Sequence, residues 1–288
     1  MNNGLNEDIR IGFIGAGKVG FTLGKFFTDK GIRVTGYYSR QAESAREAAA
    51  FTDSKFYEEL DNIVNDSDAL FLTVPDGEIS GVFQKIKDYN ICHKYICHCS
   101  GALSSKDAFE GIEETGATGY SIHPLFPISS KYDCYKELSD AFFCLEGDKA
   151  GLEMFLSLFK KLGVRARTID SEHKVQYHGA CVFASNLICG VIKESLDILG
   201  TCGFDEEEAL AALRPLIKSN ISHVLEDGPV TALTGPIERG DLDTVKKHMA
   251  SWDGETADMY RMLSRKVLEC AKIKNPDRDY TTLRTYLS

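Results

Sequence analysis

The chain has 288 residues, of which 43% are hydrophobic and 26% charged, and its formal net charge is −10 at pH 7. This length and composition are ordinary for a globular protein with two medium domains. An acidic chain without a basic stripe is a poor partner for nucleic acid or for an anionic membrane surface, so we expect neither.

The chain begins with a polar segment, MNNGLNEDIR, which carries acids where a secretion signal has a basic start and an apolar core. The longest mainly apolar run, 180–192, is too short to span a bilayer. The nine cysteines are scattered and odd in number, in a chain large enough to fold without disulfide bonds. We therefore expect a cytoplasmic protein with reduced thiols and no membrane segment.

Short apolar runs alternate with amphipathic runs over the first 168 residues. The predicted strands are 9–14, 33–38, 69–74, 95–99, 119–122, 141–145 and 164–168. The predicted helices between them include 19–29, 42–50, 79–87 and 149–162. Such alternation is typical of an α/β fold: a doubly wound, mainly parallel Rossmann sheet with helices on both faces.

The pattern becomes helical throughout after Asp170. Residues 172–199 are predicted to form one long helix, because apolar side chains recur on one face and no Pro interrupts them. Further helices are predicted at 205–225, 241–251 and 255–273, with Gly and Pro between them. We predict two domains, a Rossmann domain over 1–169 and an all-α domain over 170–288.

The segment IRIGFIGAGKVG contains a GxGxxG pattern that follows an apolar strand and opens an amphipathic helix. In that context Gly15 permits a tight turn, Gly17 lets the backbone approach a pyrophosphate, and Gly20 lets the helix pack on the strand. Free amides at the helix start then bind the anion. The expected pyrophosphate-binding residues are Gly15, Ala16, Gly17, Lys18, Val19 and Gly20.

The end of the second predicted strand indicates which dinucleotide binds. An NAD site places Asp or Glu here to bind the ribose hydroxyls, but this strand ends in Ser39 and Arg40, with no acid before Glu43. The Arg40 guanidinium can bind a 2′-phosphate and Ser39 can donate a hydrogen bond to it. We predict NADP(H) as the cofactor; the alternative is that Arg40 is a solvated surface charge.

Two further strand ends are expected to border the cofactor. Thr73, Val74 and Pro75 close a strand where ligands gather in such folds. Ser100 and Gly101 follow the strand at 95–99, and their small side chains would let the nicotinamide ring lie close. A simple strand-to-helix turn explains Ser100 and Gly101 equally well.

Cysteines and histidines cluster between residues 92 and 99, which raises the question of a metal. Alternation along a strand places Cys97 and Cys99 on one face and His98 on the other. A CxC pair also lacks the usual CxxC spacing, so we expect no metal site here.

His123 directly precedes Pro124 at the end of an apolar strand. Pro124 keeps His123 out of helical geometry and can hold its ring toward the cleft. A neutral imidazole can donate a hydrogen bond to a substrate carbonyl, and a protonated one can donate a proton. A structural histidine with satisfied hydrogen bonds is the alternative.

A polar stripe begins the predicted helix at 172–199. Lys174, His178 and Asn186 are spaced at four and eight residues, near one face of a helix, and Ser185 lies seven residues after His178. Polar groups on an otherwise apolar, buried helix cost free energy unless they are paired. The stripe therefore lines a site or forms hydrogen bonds in a core, and we favour the site.

Taken together, these motifs resemble one family. They are GFIGAGKVG, the Ser39–Arg40 strand end, TVPD, CSGAL, HPL, YHGACVFASN and LTGPIERGD. The chain resembles the bacterial family of Rossmann-like proteins with a helical C-terminal domain of unknown function. That family is similar to pyrroline-5-carboxylate reductase and to the 3-hydroxyacid and 6-phosphogluconate dehydrogenases, which implies a C-terminal domain of the 6-phosphogluconate dehydrogenase type.

The resemblance implies that the substrate lies between the nicotinamide and the first helix of the second domain, and that the chain forms a homodimer through its C-terminal helices. Hydroxyacid dehydrogenases have a catalytic Lys on that helix with an Asn four residues later. Here Lys174 is followed at that spacing by His178, and Asn186 comes later. This difference makes His178 the expected proton donor.

We therefore expect an NADP-dependent oxidoreductase that transfers hydride between NADPH and a carbonyl or imine carbon of a small substrate. His178 is the expected acid and His123 the alternate acid, with Ser185 and Asn186 orienting the substrate and Lys174 on the same stripe. The alternatives are a reduced deazaflavin:NADP oxidoreductase and a binding protein that senses NADP without turnover.

Overall fold

The computed structural model describes residues 9–288. The polar segment MNNGLNEDIR, in which we expect no secretion signal, therefore lies mostly outside the described residues. The described chain divides into two compact units, the first reaching Ala184 and the second spanning Ser185–Ser288. The predicted domain boundary at 169/170 lies inside the first unit and stays a prediction.

The first unit is built on one eight-stranded sheet in the order β3-β2-β1-β4-β5-β6-β7-β8. The strands are β1 (Arg10–Ile14), β2 (Arg33–Tyr38), β3 (Lys55–Phe56), β4 (Ala69–Leu72), β5 (Tyr95–His98), β6 (Thr118–Leu125), β7 (Phe142–Gly147) and β8 (Arg165–Thr168). All neighbouring pairs are parallel except β6 and β7, which are antiparallel. This sheet, with the helical chain that follows it, confirms the predicted α/β fold class.

Helices cover both faces of the sheet. They are α1 (Lys18–Asp29), α2 (Ala42–Phe51), α3 (Leu60–Asp66), α4 (Asp76–Ile86), α5 (Ser105–Ala108) and α6 (Lys149–Lys161). Apolar residues of α1, α2 and α6 form one buried cluster with the sheet, and those of α3, α4 and α5 form another. Because both faces are buried, the central strand β4 is apolar at every position, Ala-Leu-Phe-Leu.

Several elements differ from the sequence prediction. The short strand β3 and the helices α3 and α5 were not predicted, because each is too short to show a period. Strand β6 continues past residue 122 through His123 and Pro124 to Leu125. Its antiparallel pairing with β7 places His123 opposite Cys144 and Pro124 opposite Phe143.

The prediction of one long helix over 172–199 is wrong. After a 3₁₀ turn at Ser171–His173, α7 spans Lys174–Phe183 and α8 spans Asn186–Thr201. Ser185, between them, has φ −133° and ψ −82°, outside the helical region. Neither Gly nor Pro stands at this break, so the apolar pattern gave no sign of it. The break coincides with the division between the two units.

The second unit is all helical, as predicted. After α8 it contains α9 (Glu206–Ala232), α10 (Pro236–Arg239), α11 (Leu242–Ala250), α12 (Gly254–Lys274) and α13 (Thr281–Leu287). Asp205 caps α9 in a capping box with Glu208, and Gly228, at φ 80°, kinks its last turns. A core of seven buried residues lies among α10–α13: Ile237, Val245, Leu268, Ala271, Tyr280, Leu283 and Leu287. Among residues 9–288, no helix combines the length and the apolar character needed to cross a bilayer.

Candidate active site

The glycine-rich loop between β1 and α1 has the geometry that the sequence predicts. Gly15 has φ +107°, a conformation that side chains other than glycine rarely adopt. Its N–H donates to the Tyr38 carbonyl at 2.8 Å, and its carbonyl accepts from the Thr73 hydroxyl at 2.8 Å. The loop is therefore held to the end of β2 and to the segment that follows β4.

The other two glycines of the motif have different surroundings. A Cβ on Gly20 would lie 2.6 Å from Thr73 Oγ1 and 2.7 Å from the Gly15 carbonyl oxygen. A Cβ on Gly17 would meet only the Thr73 carbonyl oxygen, at 3.9 Å. Packing within the protein therefore requires glycine at 15 and 20, whereas the exposed Gly17 leaves room beside the loop.

The start of α1 can accept an anion. The first amide of the helix that bonds within it is that of Phe21, which donates to the Gly17 carbonyl at 3.0 Å. The amides of Lys18, Val19 and Gly20 precede it and have no partner inside the helix. Gly17 at the N-cap position brings no side chain to cap them. Free amides beside an open glycine fit a dinucleotide pyrophosphate.

The end of β2 carries the residues expected to choose between NAD and NADP. Arg40 is exposed and belongs to no ion pair among the described residues. The Ser39 hydroxyl accepts the Gln41 amide at 3.3 Å. The first acid after the strand, Glu43, lies in the first turn of α2. Neither Ser39 nor Arg40, the residues that follow the strand, supplies the carboxylate that would bind ribose hydroxyls and repel a 2′-phosphate.

A hydrogen-bonded set of residues joins the ends of β4 and β5. After Val74 and Pro75, Asp76 begins α4 and accepts the Ser100 hydroxyl at 2.6 Å. The same hydroxyl oxygen accepts the Leu103 amide at 3.1 Å. Ser100 and Gly101 are buried. The turn after β5 therefore has a defined shape beside the glycine loop.

Lys174, at the start of α7, is a buried cation of this site. Its side chain is 1% exposed, and Nζ donates to the Ser100 carbonyl at 3.0 Å and to the Ser121 hydroxyl at 2.6 Å. Burial lowers its pKa from the usual value, an effect partly opposed by Glu146. Glu146, also buried, accepts the amide and the hydroxyl of Ser105, each at 2.8 Å. Lys174 thus joins the end of β5 to β6.

Two histidines near Lys174 are kept neutral. Burial lowers the pKa of His123 to about 4 and that of His98 to about 3, and the charge of Lys174 adds to both effects. His98 Nδ1 accepts the Ser100 amide at 3.1 Å, so the ring proton is on Nε2. Among the described residues, His98 Nε2 has no hydrogen-bond partner.

His123 and His178 flank Gly101, and Tyr177 contacts His123. His123 Nδ1 lies 2.7 Å from the Tyr177 hydroxyl, and the two rings are nearly perpendicular at 5.7 Å. The His178 ring centre is 6.2 Å from that of His123. A Cβ on Gly101 would lie 2.5 Å from His178 Cδ2 and 3.0 Å from His123 Nε2. A larger residue at 101 would displace both imidazoles.

The structure thus brings together five of the predicted site residues in the first unit: Ser100, Gly101, His123, Lys174 and His178. Ser185 and Asn186 lie beyond the helix break, in the second unit, where the Ser185 hydroxyl contacts Asn186 Oδ1 at 3.0 Å. The single helical face that was to align them with Lys174 does not exist, and their roles stay predictions.

Sequence reasoning missed three participants: Asp76, Ser121 and Tyr177. Asp76 stands within the TVPD motif and Ser121 lies two residues before His123, so both were open to consideration as partners for a neighbouring hydroxyl or amine. Tyr177 lies within YHGACVFASN, next to His178, but nothing in the sequence indicates that it would reach a residue 54 positions earlier.

The cysteine and histidine cluster is arranged as strand alternation predicts. Cys97 is part of the core on the α1 side, whereas the His98 ring packs on Phe109, at 5.4 Å, on the other side. None of the nine cysteines, all of which lie in the described part of the chain, forms a disulfide bond. In the part of the chain that the structure describes, no three His, Cys, Asp or Glu side chains are grouped so as to hold a metal ion.

Two family models match the chain. The Rossmann-like domain matches residues 2–124, and the domain of unknown function DUF2520 matches residues 141–267. The chain thus carries a Rossmann-like domain followed by DUF2520, which confirms the resemblance noted in the sequence. A search of curated protein sequences finds no match.

Solved structures share the fold over nearly the whole chain. A Thermotoga maritima protein is 27% identical, with a TM-score of 0.74, over 92% of this chain and 99% of that one. A provisionally named NADP oxidoreductase from Bacteroides fragilis is 24% identical, with a TM-score of 0.72, over 92% and 99%. A reductive aminase from Aspergillus terreus, in complex with NADPH and ethyl-5-oxohexanoate, is 14% identical, with a TM-score of 0.61, over 98% and 100%.

Proposed function

We propose that this chain, a Rossmann-like domain joined to DUF2520, is an NADP-dependent reductase that acts on a carbonyl or imine carbon of a small substrate. The observation that carries the proposal is the glycine loop. Gly15 and Gly20 are required by packing within the protein, whereas a Cβ on Gly17 would meet nothing closer than 3.9 Å, next to amides that have no partner inside the helix. The similarity to structures named as NADP oxidoreductase and reductive aminase supports it.

The cofactor-binding residues divide into two groups. The loop from Gly15 to Gly20 would bind the pyrophosphate, and Ser39 and Arg40 the 2′-phosphate. Val74, Pro75, Ser100 and Gly101 would border the nicotinamide, because they follow the ends of β4 and β5 on the same sheet edge. Bound NADPH would supply the hydride.

The chain itself would bind the substrate and supply a proton. His178 and His123 are the candidate donors, since both imidazoles flank Gly101. Ser185 and Asn186 are proposed to orient the substrate. Lys174 is 1% exposed and already donates to Ser100 and Ser121. We therefore assign Lys174 a positioning role rather than contact with the substrate.

A substrate panel tests the reaction. NADPH oxidation would be followed with imines, keto acids and a deazaflavin, and we expect turnover with an imine or a carbonyl compound. Turnover of deazaflavin alone would instead indicate a deazaflavin:NADP oxidoreductase. Tight NADPH binding without turnover of any compound would indicate a binding protein.

Arg40→Gln tests the cofactor preference. Loss of a charge-assisted contact to the 2′-phosphate should weaken NADPH binding by about 1.5–3 kcal/mol, roughly 10- to 150-fold, and leave NADH binding unchanged. Arg33→Gln is the matched control, since Arg33 is an exposed arginine at the opposite end of the same strand. Titration of nicotinamide fluorescence measures both affinities. Equal affinities for NADH and NADPH in the wild type would refute the preference.

We further propose a cytoplasmic homodimer that assembles through the helices of the second unit. Several large apolar side chains are exposed on α9 and α12: Leu216, Leu225, Met262 and Ile273. Apolar surface of this kind is typical of a face that another copy covers. Sedimentation of the full chain at micromolar concentration should give a dimer, and a monomer would contradict this part of the proposal. Cysteines that form no disulfide bond among the described residues suit a reducing compartment.

A further inference from the structure

His123 and Tyr177 share a hydrogen bond, and the function proposed above does not by itself require either of them to be the donor. His123 Nδ1 and the Tyr177 hydroxyl are 2.7 Å apart, and which of the two donates depends on the tautomer of the imidazole. The other ring nitrogen, Nε2, lies beside Gly101, 3.0 Å from where a Cβ would be. The tautomer therefore decides whether a proton is present at the nitrogen next to Gly101.

The surroundings of Tyr177 favour the phenol as the donor. Burial raises the pKa of the Tyr177 hydroxyl, so this group keeps its proton. Cys144 and Cys181 also reach the Tyr177 hydroxyl. Thiol sulfur is a weak hydrogen-bond acceptor, whereas an imidazole nitrogen is a strong one. The phenol proton therefore goes to His123 Nδ1 rather than to sulfur.

Three elements hold this pair in place. His123 is on β6, and its antiparallel pairing places it opposite Cys144 on β7. Tyr177 is on the first turn of α7, three residues after Lys174, whose hydrogen bonds fix that turn to Ser100 and Ser121. The two rings meet edge to face at an interplanar angle of 87°. The positions of both side chains are thus set by packed elements of the fold.

We propose that Tyr177 is a positioning residue: by donating to His123 Nδ1 it holds this neutral imidazole in the tautomer that carries its proton on Nε2, beside Gly101, where it can donate a hydrogen bond to a substrate carbonyl. Tyr177 does not itself touch the reacting atoms. The proposal rests on the proposed function for its catalytic meaning, but the tautomer can be measured without turnover.

Long-range ¹H–¹⁵N correlation spectra of the full chain with ¹⁵N-labelled histidine test the tautomer. His123→Gln assigns the signal. The wild type should show His123 with a bare Nδ1 and a protonated Nε2, and Tyr177→Phe should show a mixture of both tautomers. A wild-type Nδ1–H form, or an unchanged tautomer in Tyr177→Phe, would overturn the proposal. Val175→Ala, at an exposed position on the same helix, should match the wild type.

Kinetics then separate positioning from a direct role. Once a substrate is identified, Tyr177→Phe should lower kcat by about 10- to 100-fold with KM and NADPH affinity unchanged. The double variant with His123→Gln should be no slower than His123→Gln alone, because both changes remove one function. Multiplicative losses would show that Tyr177 acts independently of His123. Failure to bind NADPH would refute the proposed function and leave the tautomer result valid.

Discussion

Small side chains at the strand ends matter because bulkier groups crowd around them. Gly101 is buried between the imidazoles of His123 and His178, and Ser100 offers its carbonyl to Lys174 and its hydroxyl to Asp76. A Ser-Gly pair in an isolated turn would need no such explanation. Here the pair is the point where a buried cation, a carboxylate and two histidines come within reach of one another.

Gly101→Ala should reduce turnover while it leaves the fold intact. The new Cβ would lie 2.5 Å from His178 Cδ2, so the imidazole, which is the flexible end of a side chain, would swing away at little structural cost. A displacement of about 1 Å in a proton donor can lower kcat on the order of 100-fold. Steady-state kinetics and urea unfolding measure the two effects. Gly81→Ala, in open space on α4, is the control, and equal kinetics for both variants would contradict the prediction.

Close helix–strand packing explains why the glycine loop keeps its shape. Helix α1 approaches β1 and β4 at Gly20, whereas Gly24 makes room for the Tyr37 hydroxyl, which donates to the Gly20 carbonyl at 3.1 Å. Thr73 donates two hydrogen bonds, one to the Ile14 carbonyl at the end of β1 and one to the Gly15 carbonyl of the loop. The shape of the proposed pyrophosphate site is therefore a product of the packing between these elements.

Alanine at Gly20 should mainly lower stability, whereas alanine at Gly17 should mainly weaken NADPH binding. Gly20→Ala places a Cβ 2.7 Å from the Gly15 carbonyl oxygen and should lower the free energy of unfolding by about 1–3 kcal/mol. Gly17→Ala has its nearest contact at 3.9 Å, so it should leave stability within about 0.5 kcal/mol but weaken NADPH binding. Urea denaturation and NADPH titration measure both. Unimpaired NADPH binding by Gly17→Ala would place the pyrophosphate elsewhere.

Across the whole molecule, buried neutral histidines link stability to pH. His98 and His123 have pKa values lowered to about 3 and about 4, below the ordinary value of 6.5. At a pH between each lowered pKa and 6.5, the unfolded chain binds more protons than the folded one, so protonation favours unfolding. The stability contributed by both groups is thus present above pH 6.5 and is lost as the pH falls toward 4.

Urea unfolding at pH 7, 6, 5 and 4.5 should show this loss, with each histidine contributing a slope of up to about 1.4 kcal/mol per pH unit. His98→Asn should make the free energy of unfolding less dependent on pH, by the contribution of that one histidine. His173→Gln, with a side chain 62% exposed, should keep the wild-type slope. A His98→Asn profile parallel to the wild type would show that His98 is not held neutral in the folded chain.

Local periodicity and residue type at a fixed spacing are enough to predict the α/β class, the order of the long elements, the glycine loop and the lack of an acid at the end of β2. They do not predict the helix break at Ser185, the burial of Lys174 against Ser100 and Ser121, or the contact between Tyr177 and His123. Each of these depends on contacts between residues far apart in the chain, whose free energy outweighs the local preference and leaves no trace in a single segment.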